Sequence, residues 1–380
     1  MASGAALCRA NQVRDGHEFL IVGGGPAGSA LAIALARSGR DVLLLEKEAG
    51  PRDKVCGEFL SAEAVRYLRL AGIDLDSLGA VPISHVRLGA GASLAEARLP
   101  LEARSVSRRV LDEALLREAQ EAGATVRRGK RVQSLARVGS SPWQVQLETG
   151  DAHRGHSAFL CTGKHDLQGW PRGPGKQNTL IAFKMHWRLS PPSQRELRDA
   201  VELFVFRGGY AGLESVENGV ANLALLVERQ TFLRLKTWPE LLRHMSAACP
   251  HLARRLTGAE PLWKAPLAAY GIPYGYVQRS ASNGAWRLGD QAGVIPSFAG
   301  SGISLALHSA ARATASVLAA ESESLYRKRL QREISTPIGL ATWISRMLLK
   351  PHLSRYSAGM PAYVPHVLRL IAVATRISQA

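Results

Sequence analysis

The sequence predicts an α/β protein that carries a second, β-rich domain inserted into the first. Three observations lead there. The chain has 380 residues, more than one small module needs. A strand, a glycine turn, a helix and a second strand follow one another near its start, and from 173 to about 278 longer β-type runs replace that alternation. Composition permits such a body, since 46% of residues are hydrophobic and 21% charged, which sets aside disorder, collagen and coiled coil.

Residues 19–22 form an apolar run that stops at Gly23, Gly24 and Gly25; a small-residue helix pattern covers 26–38, and 41–45 is a second apolar run ended by Glu46. This is a βαβ crossover. Gly23, Gly25 and Gly28 satisfy GxGxxG, and Glu46 follows at the distance, about 20 residues, that a dinucleotide fingerprint requires. Gly23 permits the sharp turn, Gly25 lets the backbone approach a pyrophosphate, and Gly28 lets helix and strand pack closely. The helix N-terminus, with Pro26 and Ala27 in its first turn, presents unpaired N–H groups to phosphate, and Glu46 accepts from a ribose diol. A bound dinucleotide is therefore expected.

Downstream, 65–71 is helical, 81–100 is short, glycine-broken and strand-like, and 108–122 is a helix with apolar residues at helical spacing. Runs at 131–135 and 143–147 suggest a small antiparallel sheet, and 158–161 is a buried strand stopping at Thr162 and Gly163. Three further β-type runs span 180–189, 201–206 and 220–227, before a helical pair around 240–256. A strand at 285–288 then leads through Gly289 and Asp290 into a small-residue helix over 302–320. The expected domains are a discontinuous nucleotide-binding body of 17–80, 101–172 and 279–333, a substrate domain of 81–100 and 173–278, and a helical section of 334–380.

A formal charge of +17 calls for an anionic neighbour. With 6% aromatics and no zinc, helix-turn-helix or RNP-type motif, nucleic acid is not that neighbour. The section 334–380 holds no acid but has Arg346, Lys350, Arg355, Arg369 and Arg376 beside Leu348, Leu368 and Ile371, a pattern that suits peripheral contact with an acidic membrane. The four cysteines lack CxxC spacing, so no metal is expected and a reducing, cytoplasmic setting is. No secretory signal is read at the start, and the uncharged stretch 291–311 is too rich in glycine and serine for a membrane span.

Four distant pieces together resemble the FAD-binding proteins of the p-hydroxybenzoate hydroxylase fold. They are GGGPAG with Glu46, RxxLD from Arg108 to Asp112, CTGK from Cys161 to Lys164, and GDQAGVIPSFAGSGI from Gly289 to Ile303. Within that clan, PRDKVCGEFLS at 51–61 looks most like the geranylgeranyl reductase branch, where a Cys-Gly pair lies beside the flavin. The resemblance implies FAD as cofactor and a Rossmann-like FAD-binding domain with an inserted β-sheet substrate domain. It places Asp290 on the ribityl chain, Arg108 on the phosphates or ribityl chain, and Arg52 on the adenosine side. Pro296, Gly300, Gly302 and Ile303 would face the pyrimidine edge of the flavin. Cys56 and Gly57 would lie beside the ring, and Lys47, Val132, Thr162, Gly163 and Gly289 would complete the cofactor site.

The chain departs from the reductase branch at YxWxFP, where Tyr210, Ala211, Gly212, Leu213, Glu214 and Ser215 keep only the tyrosine. Tyr210 is read as lying in a glycine-rich turn, and the halogenase signature WxWxIP is absent. What the resemblance implies is an FAD-dependent oxidoreductase acting on a hydrophobic prenyl or polyketide-derived lipid by hydride transfer to a carbon–carbon double bond. Cys56 or water would supply the proton, and Cys56 is equally a packing residue. Two other readings stay open: a monooxygenase hydroxylating a phenolic ring, and a non-catalytic flavin-binding peripheral membrane protein. No second nucleotide fingerprint is present, so NAD(P)H would bind transiently or electrons would come from a separate carrier. The sequence sets no oligomeric state.

Overall fold

A computed structural model describes residues 13–280 and 283–349. Its first sheet has seven strands. The strand Val13–Val22 lies at the centre, parallel to Val42–Leu45 on one side and Ala152–Leu160 on the other. Thr125–Arg127 extends the parallel part, Trp143–Leu147 and Val132–Ala136 add two antiparallel strands, and Trp286–Arg287 returns to pair with Ala152–Leu160. Both faces are covered, as a parallel sheet demands. Phe19 and Ile21 point into the core shared with the helices Pro26–Arg37, Arg108–Glu121 and Gly302–Leu318, while Leu20 and Val22 point into the core holding Trp143 and Val145. The antiparallel pair expected at 131–135 and 143–147 is present, with Leu135 opposite Val145.

The second sheet has nine strands. Four are Leu180–Arg188, Ala200–Phe206, Gly209–Ser215 and Ala221–Glu228, joined by Val81–Ala90 and Ser93–Ser105 from far upstream. The excursion runs past 100, because Ala103 and Ser105 pair with Ile83 and Val81, and Phe59–Leu60 joins its edge. Period-two alternation gives this sheet two characters. Phe183, Met185 and Trp187 face the helices Trp238–Ala248 and Pro250–Leu256, whereas Ala182, Lys184 and His186 face the first domain.

Three sequence expectations need correction. Tyr210 does not lie in a turn: Gly209–Ser215 is a full strand between Ala200–Phe206 and Ala221–Glu228, and Tyr210 is buried on it. Its glycine serves packing, since a Cβ on Gly209 would stand 2.4 Å from the Phe206 ring. The strand at 285–288 shrinks to Trp286–Arg287 because the chain turns at once into Gly289–Gln291. Short helices at Pro191–Leu197 and Arg229–Leu235 were not anticipated.

The last helix among the described residues is Glu323–Leu348, whose Tyr326, Leu330, Ile334 and Ile338 pack into the first core. The basic section 334–380 is described only to Leu349, so most of its charges lie outside the described residues. No helix among the described residues is long and apolar enough to cross a membrane.

Candidate functional site

The site begins where the central strand ends. Gly23 takes φ of +109°, a turn into the left-handed region that side chains avoid. A Cβ on Gly28 would sit 1.9 Å from the Gly23 carbonyl oxygen, so the helix can start this close to the strand only with glycine there. The helix Pro26–Arg37 has Gly25 as its cap and no side chain bonded to its first amides, which leaves that end open to an anion. The buried Glu46 stands beside it, with Oε2 accepting from Gly24 N at 2.6 Å and Oε1 from Glu48 N at 2.9 Å.

Arg108 reaches the same turn, since a Cβ on Gly25 would lie 3.6 Å from its Nη2. Its Nε and Nη2 donate to Asp112 at 2.7 and 2.8 Å, and Lys54 Nζ donates to the same carboxylate at 2.7 Å. Burial works against the guanidinium charge, but Asp112 more than offsets it and raises the pKa of Arg108 further. Arg52 and Lys47 stand at the exposed rim. Arg52 donates to Glu48 at 2.8 Å, and Lys47 lies 3.9 Å from the same carboxylate.

Residues from the far end of the chain complete the turn. The Cβ position of Gly289 is 3.3 Å from Ala27 Cβ, and Gly289 N donates to Ser309 Oγ at 2.8 Å. Asp290 follows, half-buried, with its carbonyl accepting from Arg172 Nη1 at 2.9 Å. Thr162 and Gly163 end the neighbouring strand, where Cys161 N donates to Val22 O at 2.8 Å and Gln291 Nε2 donates to Gly163 O at 2.9 Å. Val132 lies apart from this cluster, packed with Trp143 and Leu147 at the antiparallel end of the sheet. Pro296 to Gly300 form a short loop, and the helix Gly302–Leu318 then begins at Ser301 with no side-chain cap. Ile303, buried, anchors that helix in the first core.

Between this loop and the second sheet lies a cavity of about 170 Å³. Val86, Leu88, Val201 and Leu203 make it apolar at one end, Tyr210 and Phe298 meet edge to face at 5.9 Å within it, and Ile344 and Leu348 of the last long helix close it. Tyr210 approaches Ser297 Oγ at 3.5 Å, and burial pushes its phenol up to about 12. A wider groove of about 680 Å³ beside Trp143 and Trp170 shares no lining residue with this cavity.

At the other end of the cavity is a polar cluster that sequence reading missed. Glu58 takes φ of +62° and is fully buried. Its Oε1 accepts from Arg108 N at 2.7 Å and from Lys184 Nζ, and its Oε2 pairs with His186 Nε2 at 2.9 Å. Burial opposes its charge, yet these partners hold its carboxyl below the usual range. Asp53 stands 4.0 Å from Lys184 Nζ, so the Lys184 ammonium already balances the carboxylates near it. Cys56, half-buried, accepts from Glu58 N at 3.3 Å through Sγ, and its carbonyl accepts from Asn222 Nδ2 at 3.2 Å. Gly57 and Glu214 line the cavity beside it.

Glu214 has 3% exposure and its Oε1 has no hydrogen-bond partner among the described residues. Burial raises its pKa well above the ordinary carboxyl value, and the nearby Glu58 charge raises it further. One sequence signal pointed here: Glu214 stands where YxWxFP has phenylalanine. For Lys184 and His186 the signal was two basic residues at alternate positions in an otherwise apolar strand. His308, by contrast, is taken up by Tyr67 at 2.8 Å and Glu333 at 2.6 Å and plays a packing part.

Comparison with known proteins agrees with this geometry. Residues 17–160 match the family described as FAD binding domain. The flavin-dependent halogenase armH1 of Armillaria mellea is 26% identical over 249 residues, which is 60% of this chain and 48% of that protein. A menaquinone reductase of Mycobacterium tuberculosis is 48% identical over 61 residues, 16% of this chain and 15% of the relative. The chain thus spans about half or less of these two relatives. In three dimensions it is similar to the flavin-dependent brominase Bmp2, with a TM-score of 0.77, 19% identity and 94% of each chain covered. It is also similar to a flavoprotein/dehydrogenase from Cytophaga hutchinsonii, with a TM-score of 0.79, 19% identity, and 95% and 92% covered.

The fold is the FAD-binding α/β fold of the p-hydroxybenzoate hydroxylase type, and FAD is the cofactor. The residues fit it: two uncapped helix N-termini, a buried carboxylate at the second strand's end, an arginine beside the turn, and no room for a side chain at Gly28.

Proposed function

We propose that this FAD-binding chain is an oxidoreductase that works on a hydrophobic small molecule, a prenyl or polyketide-derived lipid, held between its two sheets, and reduces a carbon–carbon double bond. The observation carrying this reading is the cavity itself. It has apolar walls at Val86, Leu88, Val201 and Leu203, and a buried acid, Glu214, at its polar end.

Bound FAD supplies two-electron chemistry at its isoalloxazine ring. Glu46 holds a ribose, the open ends of the helices Pro26–Arg37 and Gly302–Leu318 favour negative charge on phosphate and flavin, and Arg108 reinforces the first of them. Asp290, beside Gly289, stands for the ribityl contact, and Cys56 and Gly57 for the side of the ring facing the second sheet. The apolar walls exclude water from the reacting bond. Glu214 holds a proton beside a largely apolar chamber and is a better placed acid than Cys56, whose Sγ already accepts from Glu58 N. Electrons reach the cofactor from NAD(P)H bound in passing or from a separate carrier.

A second reading is favoured by the sequence likeness to halogenase armH1 over 60% of this chain. Under it the same cavity holds a phenolic ring, and oxygen takes part. One experiment separates the two: chemically reduced holoprotein is offered lipid extract without oxygen, then with it. Reoxidation and a product with one more saturated bond in the anaerobic arm support reduction. Turnover confined to the aerobic arm, with an oxygenated or halogenated product, favours the second reading.

A further inference from the structure

Glu58 holds a backbone conformation that its residue type avoids. Its φ of +62° lies in the left-handed region, where glycine is unstrained and glutamate is not. Such a residue persists only where its surroundings over-determine it, and positions of this kind gather at functional sites. Here the side chain supplies the reason. It is fully buried, and its one carboxylate ties its own loop to two other elements. Oε1 accepts at 2.7 Å from Arg108 N, the first amide of the helix Arg108–Glu121, which has no acceptor inside that helix. The same oxygen accepts from Lys184 Nζ, and Oε2 pairs with His186 Nε2 at 2.9 Å, both on the strand Leu180–Arg188 of the second sheet.

The main chain around Glu58 is fixed as closely. Glu58 N donates to Cys56 Sγ at 3.3 Å, Glu58 O accepts from Val106 N at 3.3 Å, and Asn222 Nδ2 reaches Cys56 O from the sheet at 3.2 Å. Gly57 lies between these two anchored residues and lines the cavity. A Cβ added to Gly57 would meet no atom of the described residues within 4 Å. The turn is thus held on both sides of a glycine whose backbone a planar ring can approach.

We propose that Glu58 is a positioning residue for the flavin: it locks the Cys56–Gly57 turn and the start of the Arg108 helix onto the second sheet, and so sets where the ring meets the substrate chamber. This rests on the ring lying beside Cys56 and Gly57. Geometry rather than charge carries the role. Glutamine has the same length; with its oxygen at the Oε1 position and its amide towards an accepting His186 nitrogen, it keeps every bond of the set. Aspartate keeps the charge but is one methylene too short to hold the helix amide and both side chains of the strand.

The test titrates apoprotein with FAD and reads the dissociation constant and the visible circular dichroism of the bound flavin, beside the melting temperature. Gly57→Ala locates the ring: melting stays as in wild type, because the added methyl meets no protein atom, while the flavin dichroism changes. Glu58→Asp and Glu58→Ala are expected to bind FAD about tenfold or more weakly, with altered dichroism. Glu58→Gln stays within about threefold of wild type and keeps its dichroism. Where Glu58→Ala does not fold, Glu58→Asp, the smaller change, carries the comparison. A purely structural role lowers the melting temperature of Glu58→Asp and leaves FAD affinity and dichroism as in wild type, and that result overturns the inference. Glu58→Gln falling as far as Glu58→Asp overturns it too, since charge would then be the operative property. An unchanged flavin signal in Gly57→Ala overturns the ring placement and the inference with it, and leaves FAD binding itself intact.

Discussion

At the scale of single residues, the account stands on side chains that have no alternative place to go. A branched side chain at Gly28 has to enter the space of the Gly23 carbonyl, so Gly28→Val is expected to abolish FAD uptake, read as a colourless preparation after reconstitution with excess cofactor. Breaking the buried Glu58 set by Glu58→Ala leaves Lys184 without its closest carboxylate, and urea unfolding should show a loss of about 3–5 kcal/mol. Glu58 and Glu214 also bend stability in opposite directions with pH. The folded Glu58 binds its proton less readily than the unfolded chain does, so its contribution is present above the ordinary carboxyl range and fades on acidification through its lowered value. The folded Glu214 binds its proton more readily, so stability drops as pH rises from the ordinary carboxyl range towards its raised value. Melting curves across pH should show the second slope disappear in Glu214→Gln. The glycine turn and Glu46 were legible in the sequence because their spacing is set by one short crossover. Glu58 was not, because its partner Lys184 lies 126 positions away and only the meeting of two sheets pairs them.

At the scale of elements, period-two alternation decides what each strand of the second sheet contributes. The strand Leu180–Arg188 sends Phe183, Met185 and Trp187 to the helices behind it and Lys184 and His186 to the site in front. Damage behind the sheet should therefore be separable from function in front of it. Leu252→Ala, on the helix Pro250–Leu256, empties a fully buried position and is expected to cost about 2–5 kcal/mol in denaturant unfolding while FAD affinity stays unchanged. The strand Gly209–Ser215 was misread from sequence as a turn, because Gly208, Gly209 and Gly212 resemble turn chemistry. Here tertiary packing won: Gly209 makes way for Phe206, and both neighbouring strands supply the missing hydrogen bonds. Helix ends were legible to within a residue or two where caps mark them. Ser107 accepts from Val110 N and starts Arg108–Glu121 where the periodicity put it.

At the scale of the molecule, two sheets are joined by segments that leave the first one early and return late. That arrangement brings Gly289 against Ala27 and the loop ending at Gly300 over the floor made by Tyr210 and Leu203. Cofactor and chamber therefore depend on segments from both ends of the described residues being folded together. Ligand linkage follows from this: free FAD at a hundredfold excess over its dissociation constant should stabilise the protein by about 2.7 kcal/mol, seen as a rise in melting temperature. The most direct measurement of the central claim is titration of the apoprotein with FAD, followed by quenching or shift of flavin fluorescence. The account predicts saturation at one FAD per chain, lost in Gly28→Val and retained in Leu252→Ala. An apoprotein that melts cooperatively yet takes up no FAD, or a Gly28→Val variant that binds as well as wild type, contradicts it.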